Sequence, residues 1–278
     1  MFFLCQFKNK LITLQPKSDR KGNNLIANMG IAKNQTVNPY VSVDCVLLGF
    51  DGEQLNVLVV RQSERGGEGS TGNYKLPGSL INMDENLDEA AQRVLHQLTG
   101  LVQVNMMQFK AFGGADRLKD PADSVWLERF HHLNHHIERI VTIAYTSLLR
   151  IDRRMRKLEE GYEARWMPLS ELPRLAFDHN DIVADAVEWV RQKAMLDCTL
   201  LFNLLPRKFT AAQLRTVMEN VQGITIDVKN FHKKLASMSC VEPLEEKEDG
   251  VKHRAARYYK FIRSPKKLKD EKIKELLV

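Results

Sequence analysis

The chain has 278 residues, of which 44% are hydrophobic, 27% charged and 8% aromatic, a composition typical of folded proteins with room for two domains. No stretch approaches the roughly 18 uninterrupted apolar residues of a membrane span, and the apolar start MFFLCQF is too short for a signal-peptide core. The four cysteines form no CxxC pair, so the sequence predicts no disulfide framework, no metal site and no cofactor, in a protein of the cytoplasm.

The net charge of +6 is unevenly distributed along the chain. Residues 199–278 hold 17 Lys and Arg against 10 Asp and Glu, a net charge of +7, and residues 1–40 carry +5. Residues 41–198 between them carry −6. An acidic middle followed by a basic end predicts two modules with different partners. A basic surface that is merely solvated is the plainer alternative, and the motifs below bear on it.

The first 38 residues show no lasting hydrophobic periodicity and contain many polar breakers, which predicts a disordered arm over residues 1–38. Met29 is an alternative start within this arm. Order is expected from Tyr40 onward. We expect one domain over residues 39–197 and a second over residues 198–278.

Several segments of the first domain have the pattern of β-strands. Residues 41–50 and 55–62 flank an Asp-Gly turn and predict a hairpin. Residues 102–117, 139–149 and 163–172 are rich in β-branched and aromatic residues, with Trp166 expected in the core. The glycine-rich loop at 64–72 lacks the Lys-Ser/Thr step of a phosphate-binding loop, so we interpret it as a connector.

Residues 76–101, LPGSLINMDENLDEAAQRVLHQLTGL, predict a turn, a polar loop and an amphipathic helix. The apolar residues from Leu87 to Leu98 recur at steps of three and four, which is one continuous helical stripe. Gly100 is placed to end this helix in the left-handed conformation.

This stretch resembles the Nudix superfamily pattern G-x5-E-x7-R-E-U-x-E-E-x-G-U, in which U is aliphatic. Ser79 stands where the pattern has its first glycine, directly after a matching glycine. The remaining skeleton matches at Glu85, Arg93, Leu95, Gly100 and Leu101. The other three acidic positions are occupied by Val94, Gln97 and Leu98. In the family, the helix glutamates hold a divalent metal, which needs hard oxygen ligands. The resemblance therefore implies a Nudix-like mixed sheet with helices, and the residues predict that the protein is not an enzyme.

The segment 118–138 is an insertion relative to the family and contains His131, His132, His135 and His136. On a helix these would form two i,i+4 pairs able to share a metal. No carboxylate is fixed beside them by spacing, and polar loops often carry histidines. A solvated loop is therefore the favoured interpretation over a metal site.

The end of the first domain and the second domain read as a series of capped helices. Asp178 is expected to cap a helix that runs through Ala194. Thr210 is expected to cap a second helix ending at Gly223. Asp227 is expected to cap a third helix that runs to Met238. The apolar side of this third helix is predicted to comprise Val228, Phe231, Leu235 and Met238. A hairpin over residues 241–262 follows, so the fold class is α+β with a C-terminal winged helix-turn-helix domain.

This C-terminal order predicts binding to double-stranded DNA. Lysine and asparagine on the exposed face of a recognition helix suit the base edges of the major groove, and basic residues of the wing suit phosphates. The candidate DNA-binding residues are Lys229, Asn230, Lys233, Lys234, Lys252, Arg254 and Arg257. The acidic wing tip around Glu245–Asp249 argues against the wing touching DNA. A winged helix used for protein contacts is the alternative.

The segments VLHQLTGL, AFGGADR, AFDH, FNLLPRKFT and DVKNFHKKLASM resemble the sugar-responsive branch of the Nudix-related transcriptional regulators. That resemblance implies a homodimer whose affinity for a DNA operator changes when an effector occupies the Nudix-like pocket. The effector classes are a pentose such as L-arabinose, or ADP-ribose. Strand ends and loops around the pocket carry the candidate effector-binding residues Arg61, Lys75, Glu85, Asp116 and Arg117. An active Nudix hydrolase with an accessory domain remains the alternative from another functional class.

Overall fold

The computed structural model describes residues 36–61, 74–121, 123, 127, 136–152, 155, 164–250 and 255–262. None of the helices in these parts of the chain is long and apolar enough to cross a bilayer. The arm expected over residues 1–38 lies almost wholly outside the described residues. The glycine-rich loop at 64–72 and most of the insertion 118–138 also lie outside them.

The first domain is built on a seven-stranded mixed sheet. Its strands are β1 (Val37–Phe50), β2 (Leu55–Arg61), β3 (Tyr74–Lys75), β4 (Gly78–Asn82), β5 (Met107–Phe112), β6 (Val141–Arg150) and β7 (Ala164–Pro168). The path runs β3-β2-β1-β6-β5, with β4 paired to β1 and β7 to β2. β1 and β6 are parallel, whereas β1 and β2 are antiparallel. The predicted mixed sheet is confirmed.

Two strand boundaries differ from the sequence prediction. β1 begins at Val37, before Tyr40, because Val37 pairs with Asn82 of β4. The segment 102–117 was predicted to be extended throughout, but only Met107–Phe112 forms a strand. Arg117 lies in a turn instead, where its backbone N–H donates to the carbonyl oxygen of Gly114. This turn is what brings Arg117 back toward β1.

Helix α1 (Leu87–Thr99) covers one face of the sheet. It begins with a capping box between Asn86 and Glu89 and ends at Gly100, whose φ of 72° is left-handed as predicted. Its buried residues Ala90, Ala91, Val94 and Leu95 pack into one cluster with alternate residues of β1, namely Val43, Cys45 and Leu47. Leu98 is partly buried against the same cluster. The predicted apolar stripe is confirmed.

Helix α2 (His179–Leu196) covers the opposite face, where Val46, Leu48 and Phe50 of β1 point. It buries Ile182, Val183, Ala186 and Val190, and Val187 is partly buried beside them. The expected capping role of Asp178 is wrong, since its side chain accepts no capping hydrogen bond. The Asp178 carboxylate is instead drawn to a buried guanidinium, and only its backbone oxygen accepts from Asp181 and Ile182.

The second domain has the predicted winged helix-turn-helix order. A 3-10 helix (Cys198–Leu204) is followed by β8 (Lys208–Thr210), α3 (Ala211–Gln222), α4 (Val228–Ser237), β9 (Val241–Lys247) and β10 (Arg257–Phe261). The strands form a small sheet in the order β8-β10-β9. Thr210 and Asp227 cap α3 and α4 through their side chains, and Gly223 ends α3 with a φ of 68°. These capping predictions are confirmed.

The predicted apolar side of α4 needs one correction. Phe231, Leu235 and Met238 are buried, but Val228 is 51% exposed. The first turn of α4 extends past the core of the domain, so an apolar side chain there has no core residues to pack against. The core itself continues from the sheet face under α2 into the winged helix, since Leu48, Val190, Val217 and Phe231 belong to one buried cluster.

Candidate effector site and nucleic-acid interface

A buried carboxylate in the middle of β1 is the centre of the candidate effector site. Asp44 is 4% exposed, and its Oδ2 lies 3.5 Å from Nη2 of Arg117. β4 approaches closely here, because a Cβ at Gly78 would lie 1.8 Å from Asp44 Oδ1. Glycine is therefore required at position 78 for the carboxylate to fit between the strands.

Arg117 links this carboxylate to the start of α2. Its Nη2 lies 3.0 Å from Oδ1 of Asp178, and its Nη1 donates to the carbonyl oxygen of Phe112 at 3.3 Å. The side chain is 4% exposed. Its buried Nε finds no acceptor in the described part of the chain. A buried guanidinium donor without an acceptor is costly, and a ligand that reached this atom would relieve that cost.

His179 is buried against the same carboxylate and is neutral at physiological pH. Its Nδ1 accepts from the backbone N–H of Leu76 at 2.9 Å, which places the proton on Nε2. Nε2 lies 3.5 Å from Oδ1 of Asp44. Burial lowers the pKa of His179 to about 4, although Asp44 acts in the opposite direction. The imidazole is therefore a neutral donor toward Asp44.

Lys75 completes the cluster from β3. Its Nζ donates to the carbonyl oxygen of Gly78 at 2.7 Å. Burial lowers the pKa of Lys75 to about 8, opposed by the charge of Asp44. Burial raises the pKa of Asp44, but the neighbouring His179, Arg117 and Lys75 outweigh it and hold that pKa below its usual range. Burial also raises the pKa of Asp178, against the effect of Arg117.

Asp44, Lys75, Arg117 and His179 line a narrow cleft that opens to solvent. Ser42 and Ser79 add hydroxyl groups to the lining, and the apolar walls are Leu127, Ile140 and Phe177. Two cationic side chains face two carboxyl groups, so the cluster compensates its own charge. Closely spaced donors and acceptors without a large net charge suit the hydroxyl groups of an uncharged polyhydroxyl ligand.

The structure brings two of the five predicted effector residues, Lys75 and Arg117, into this cleft. Arg61 is exposed at the end of β2, and Asp116 is an exposed turn residue paired with Lys119 at 3.3 Å. Glu85 lies before α1 and is engaged by Arg93. The sequence analysis did not identify Asp44 and His179. The signal for Asp44 was a single charge inside the apolar run VSVDCVLL, which is rare unless the charge is paired.

The helix that carries the metal ligands in the Nudix pattern has no metal-binding set here. Glu85 accepts from Nε of Arg93 at 2.7 Å and from the backbone N–H of Asn82 at 2.7 Å. Gln97 accepts from Nη1 of Arg93 at 3.0 Å, while Val94 is fully buried. Burial raises the pKa of Glu85, but the hydrogen bonds from Arg93 and from the backbone N–H of Asn82 outweigh it and hold that pKa below its usual range. At the metal-binding positions of the pattern a magnesium ion would find Glu85, which is committed to Arg93, and no second carboxylate, so these residues do not fit the metal.

The four histidines of the insertion lie partly within the described residues. His136 lies among the described residues, whereas His131, His132 and His135 lie outside them. Within the described segments, no three or more His, Cys, Asp or Glu side chains are grouped as metal ligands would be.

The predicted DNA-binding residues of α4 lie together on its outer side. Lys229, Asn230 and Lys233 are exposed and Lys234 is half-buried, above the buried Phe231 and Leu235. Arg257 is exposed at the start of β10, and Lys252 and Arg254 lie outside the described residues. The buried side of α4 is thus anchored in the core, and its polar side faces solvent.

The acidic character of the wing is partly compensated within its own sheet. Glu246 of β9 pairs with Lys208 at 2.5 Å, and Glu242 pairs with Lys260 at 3.0 Å. Exposed pairs of this kind contribute little to stability, but they reduce the negative charge that the wing presents. The recognition helix therefore remains the main basic surface among the described residues of the second domain.

Two family models match different parts of the chain. A family model described as the NUDIX domain matches residues 38–190, and one described as the NrtR DNA-binding winged helix domain matches residues 201–261. The chain is 25% identical over 233 residues to the ADPR responsive transcriptional repressor NtrR of Acinetobacter baylyi, covering 82% of this chain and 84% of the relative. It is also 25% identical over 181 residues to the ADP-ribose pyrophosphatase of Methanocaldococcus jannaschii, covering 65% of this chain and 92% of the relative. Shewanella oneidensis NrtR complexed with a 27mer DNA aligns with a TM-score of 0.59 and 26% identity, covering 80% of this chain and 93% of that one.

Proposed function

The chain belongs to the Nudix superfamily and carries an NrtR-type winged helix domain, and from this premise we propose that it is a ligand-responsive DNA-binding transcriptional regulator. The observation that carries the proposal is the pairing of a polar, charge-compensated cleft in the Nudix domain with a basic recognition helix in the second domain. Similarity to a repressor and to a DNA-bound structure supports the same assignment.

The DNA-binding part of the proposal rests on α4. Its exposed lysines and asparagine suit the acceptors of guanine and the N6/N7 edge of adenine in the major groove. One such helix covers only a few base pairs, so specificity usually requires two half-sites related by a twofold axis. We therefore infer a homodimer on a roughly palindromic operator, with half-site centres about 34 Å apart or a multiple of this.

Substitutions on α4 are expected to separate two kinds of contact. Asn230→Ala should cost about 1–3 kcal/mol per half-site and relax the preference at one base position. Lys233→Ala should weaken all sequences alike and reduce the slope of log affinity against log salt by about one unit. Gel-shift titrations at several salt concentrations measure both. Unchanged binding by both variants would favour the protein-contact alternative.

The effector that the cleft suits is a polyhydroxyl group. Asp44 and Asp178 together balance the charges of Lys75 and Arg117, so the cluster offers hydrogen-bond donors and acceptors but no net positive charge to attract a diphosphate. The guanidinium of Arg93 on α1 is already committed to Glu85. A pentose such as L-arabinose presents only hydroxyls. ADP-ribose, which the name of the Acinetobacter relative indicates, carries a terminal ribose with the same chemistry.

A thermal-shift titration with L-arabinose and with ADP-ribose distinguishes a free pentose from ADP-ribose as the effector. A ligand at a hundredfold excess over its Kd stabilises the folded state by about 2.7 kcal/mol, a shift of several degrees in Tm. Arg117→Lys keeps the charge but removes the Nε donor, and it should weaken the effector at least tenfold. Asp116→Ala, one residue away and exposed, is the matched comparison. If neither ligand moves Tm, or if Arg117→Lys binds as well as the native protein, the effector site lies elsewhere.

We also infer that the protein does not catalyse Nudix hydrolysis. Val94, Gln97 and Leu98 replace carboxylates that the metal requires, and Glu85 is paired with Arg93. We expect ADP-ribose to remain intact after prolonged incubation with the protein and Mg²⁺, as followed by release of AMP. The relative described as an ADP-ribose pyrophosphatase favours the hydrolase alternative. Metal-dependent turnover that disappears in Glu85→Gln would establish that alternative.

A further inference from the structure

Helix α2 contacts both the effector cleft and the DNA-binding domain. Its eighteen residues span about 27 Å. At its first turn, His179 faces Asp44 and the preceding Asp178 faces Arg117. Toward its other end, Val190 is buried in the cluster that continues into the winged helix. A change at the cleft that shifts the start of α2 therefore reaches the second domain through one rigid element.

Arg191 is the polar contact between α2 and the helix-turn-helix. Its Nε donates to the carbonyl oxygen of Val221 at 2.9 Å, one of the last carbonyls of α3, which have no partner within the helix. Gln222 reaches back to the carbonyl oxygen of Arg191 at 3.5 Å. A Cβ at Gly223 would lie 3.1 Å from Arg191 Nη2, so the guanidinium also packs against the residue that ends α3.

The turn that Arg191 touches leads directly into the recognition helix. Glu219 of α3 accepts from the backbone N–H of Ile226 through its side chain at 2.8 Å, and from that of Ile224 through its carbonyl at 3.3 Å. Arg215 holds the same carboxylate at 2.8 Å. The backbone from Gly223 to the cap of α4 is thus bound to α3, and α3 is bound to α2 by Arg191.

From these contacts we propose that Arg191 is a positioning residue for DNA recognition, which sets the orientation of the recognition helix relative to the sensor domain and transmits the state of the cleft to it. This inference rests on the proposed function. Arg191 itself does not touch DNA. It acts by holding the end of α3, and through it the turn before α4, against the helix whose first turn borders the effector cleft.

The first test compares a DNA duplex selected by the native full-length protein from a random pool with an unrelated duplex of equal length. Arg191→Ala should weaken the selected duplex at least tenfold while changing the unrelated duplex less than twofold, since the basic face of α4 is intact. Arg191→Lys should recover part of the loss. Lys193→Ala is the matched control, because it removes a charge from the same helix, where the Lys193 ammonium lies over the ring of Trp189.

The second test asks whether the two ends of α2 are coupled. In a double-mutant cycle with Asp178→Asn, the effect of Arg191→Ala on the selected duplex should differ at least threefold between the two backgrounds. Independent sites at this separation would agree within about twofold. Additive effects, an unchanged selected-duplex affinity, or an equal loss on both duplexes with a fall in Tm would each overturn the inference. A native protein that enriches no duplex would instead contradict the DNA-binding function, and the inference would fall with it.

Discussion

Replacing Asp44 with alanine is expected to lower the free energy of unfolding by about 3–5 kcal/mol, the largest single effect predicted for this protein. The substitution leaves Arg117 and Lys75 buried without their shared counter-charge, and removing one partner from a buried charged cluster costs this much. Chemical denaturation of the full chain, followed by circular dichroism, measures the change.

Asp185→Ala is the matched control for this prediction. Asp185 also pairs with a cation, Lys110, but its side chain is 41% exposed. An exposed pair contributes about 0–1 kcal/mol, so the two aspartates should differ several-fold in their effect on the free energy of unfolding. Equal losses of stability in the two variants would show that Asp44 is not part of a buried cluster of charged side chains. Asp44→Asn should be milder than Asp44→Ala, because the amide still accepts hydrogen bonds from the groups around it.

Acidification from pH 6.5 to pH 4 is expected to remove up to about 3 kcal/mol of stability through His179 alone. Burial lowers its pKa to about 4 in the folded state, against about 6.5 when unfolded. Between these values the unfolded chain binds more protons than the folded one, so stability falls as the pH falls. The raised pKa values of Asp178 and Asp123 act in the opposite direction over part of this window. The stabilising effect of Asp44 is lost only at still lower pH.

His179→Asn is the variant that isolates this effect. Its amide oxygen can accept from the backbone N–H of Leu76 as Nδ1 does, but it does not titrate. The loss of stability between pH 6.5 and pH 4 should shrink by most of the predicted amount in this variant. His96→Asn, which changes an exposed histidine on α1, is the matched control. A pH profile identical in the native protein and His179→Asn would contradict the assignment.

The amino-acid sequence by itself determined the features that depend on near neighbours. The stripe of α1 and its end at Gly100, the caps of α3 and α4, and the helix-helix-hairpin order of the second domain all followed from local periodicity and capping chemistry. The sequence also shows Val94, Gln97 and Leu98 in place of the metal-binding carboxylates, because the Nudix pattern has fixed spacing and each of its positions can be located in the chain.

The tertiary structure alone decided which distant groups meet. Asp44 and His179 are 135 residues apart in the chain and touch because β1 and the start of α2 converge on one cleft, which no local pattern encodes. Asp178 had the position and chemistry of a helix cap, but a buried guanidinium competes for its carboxylate more strongly than a backbone N–H does. Val228 continued the apolar stripe of α4, yet burial depends on what lies beneath a residue, and the core ends before the first turn of that helix. Periodicity specifies which face of a helix is apolar, whereas only the packing of the whole chain specifies how far along the helix that face is covered.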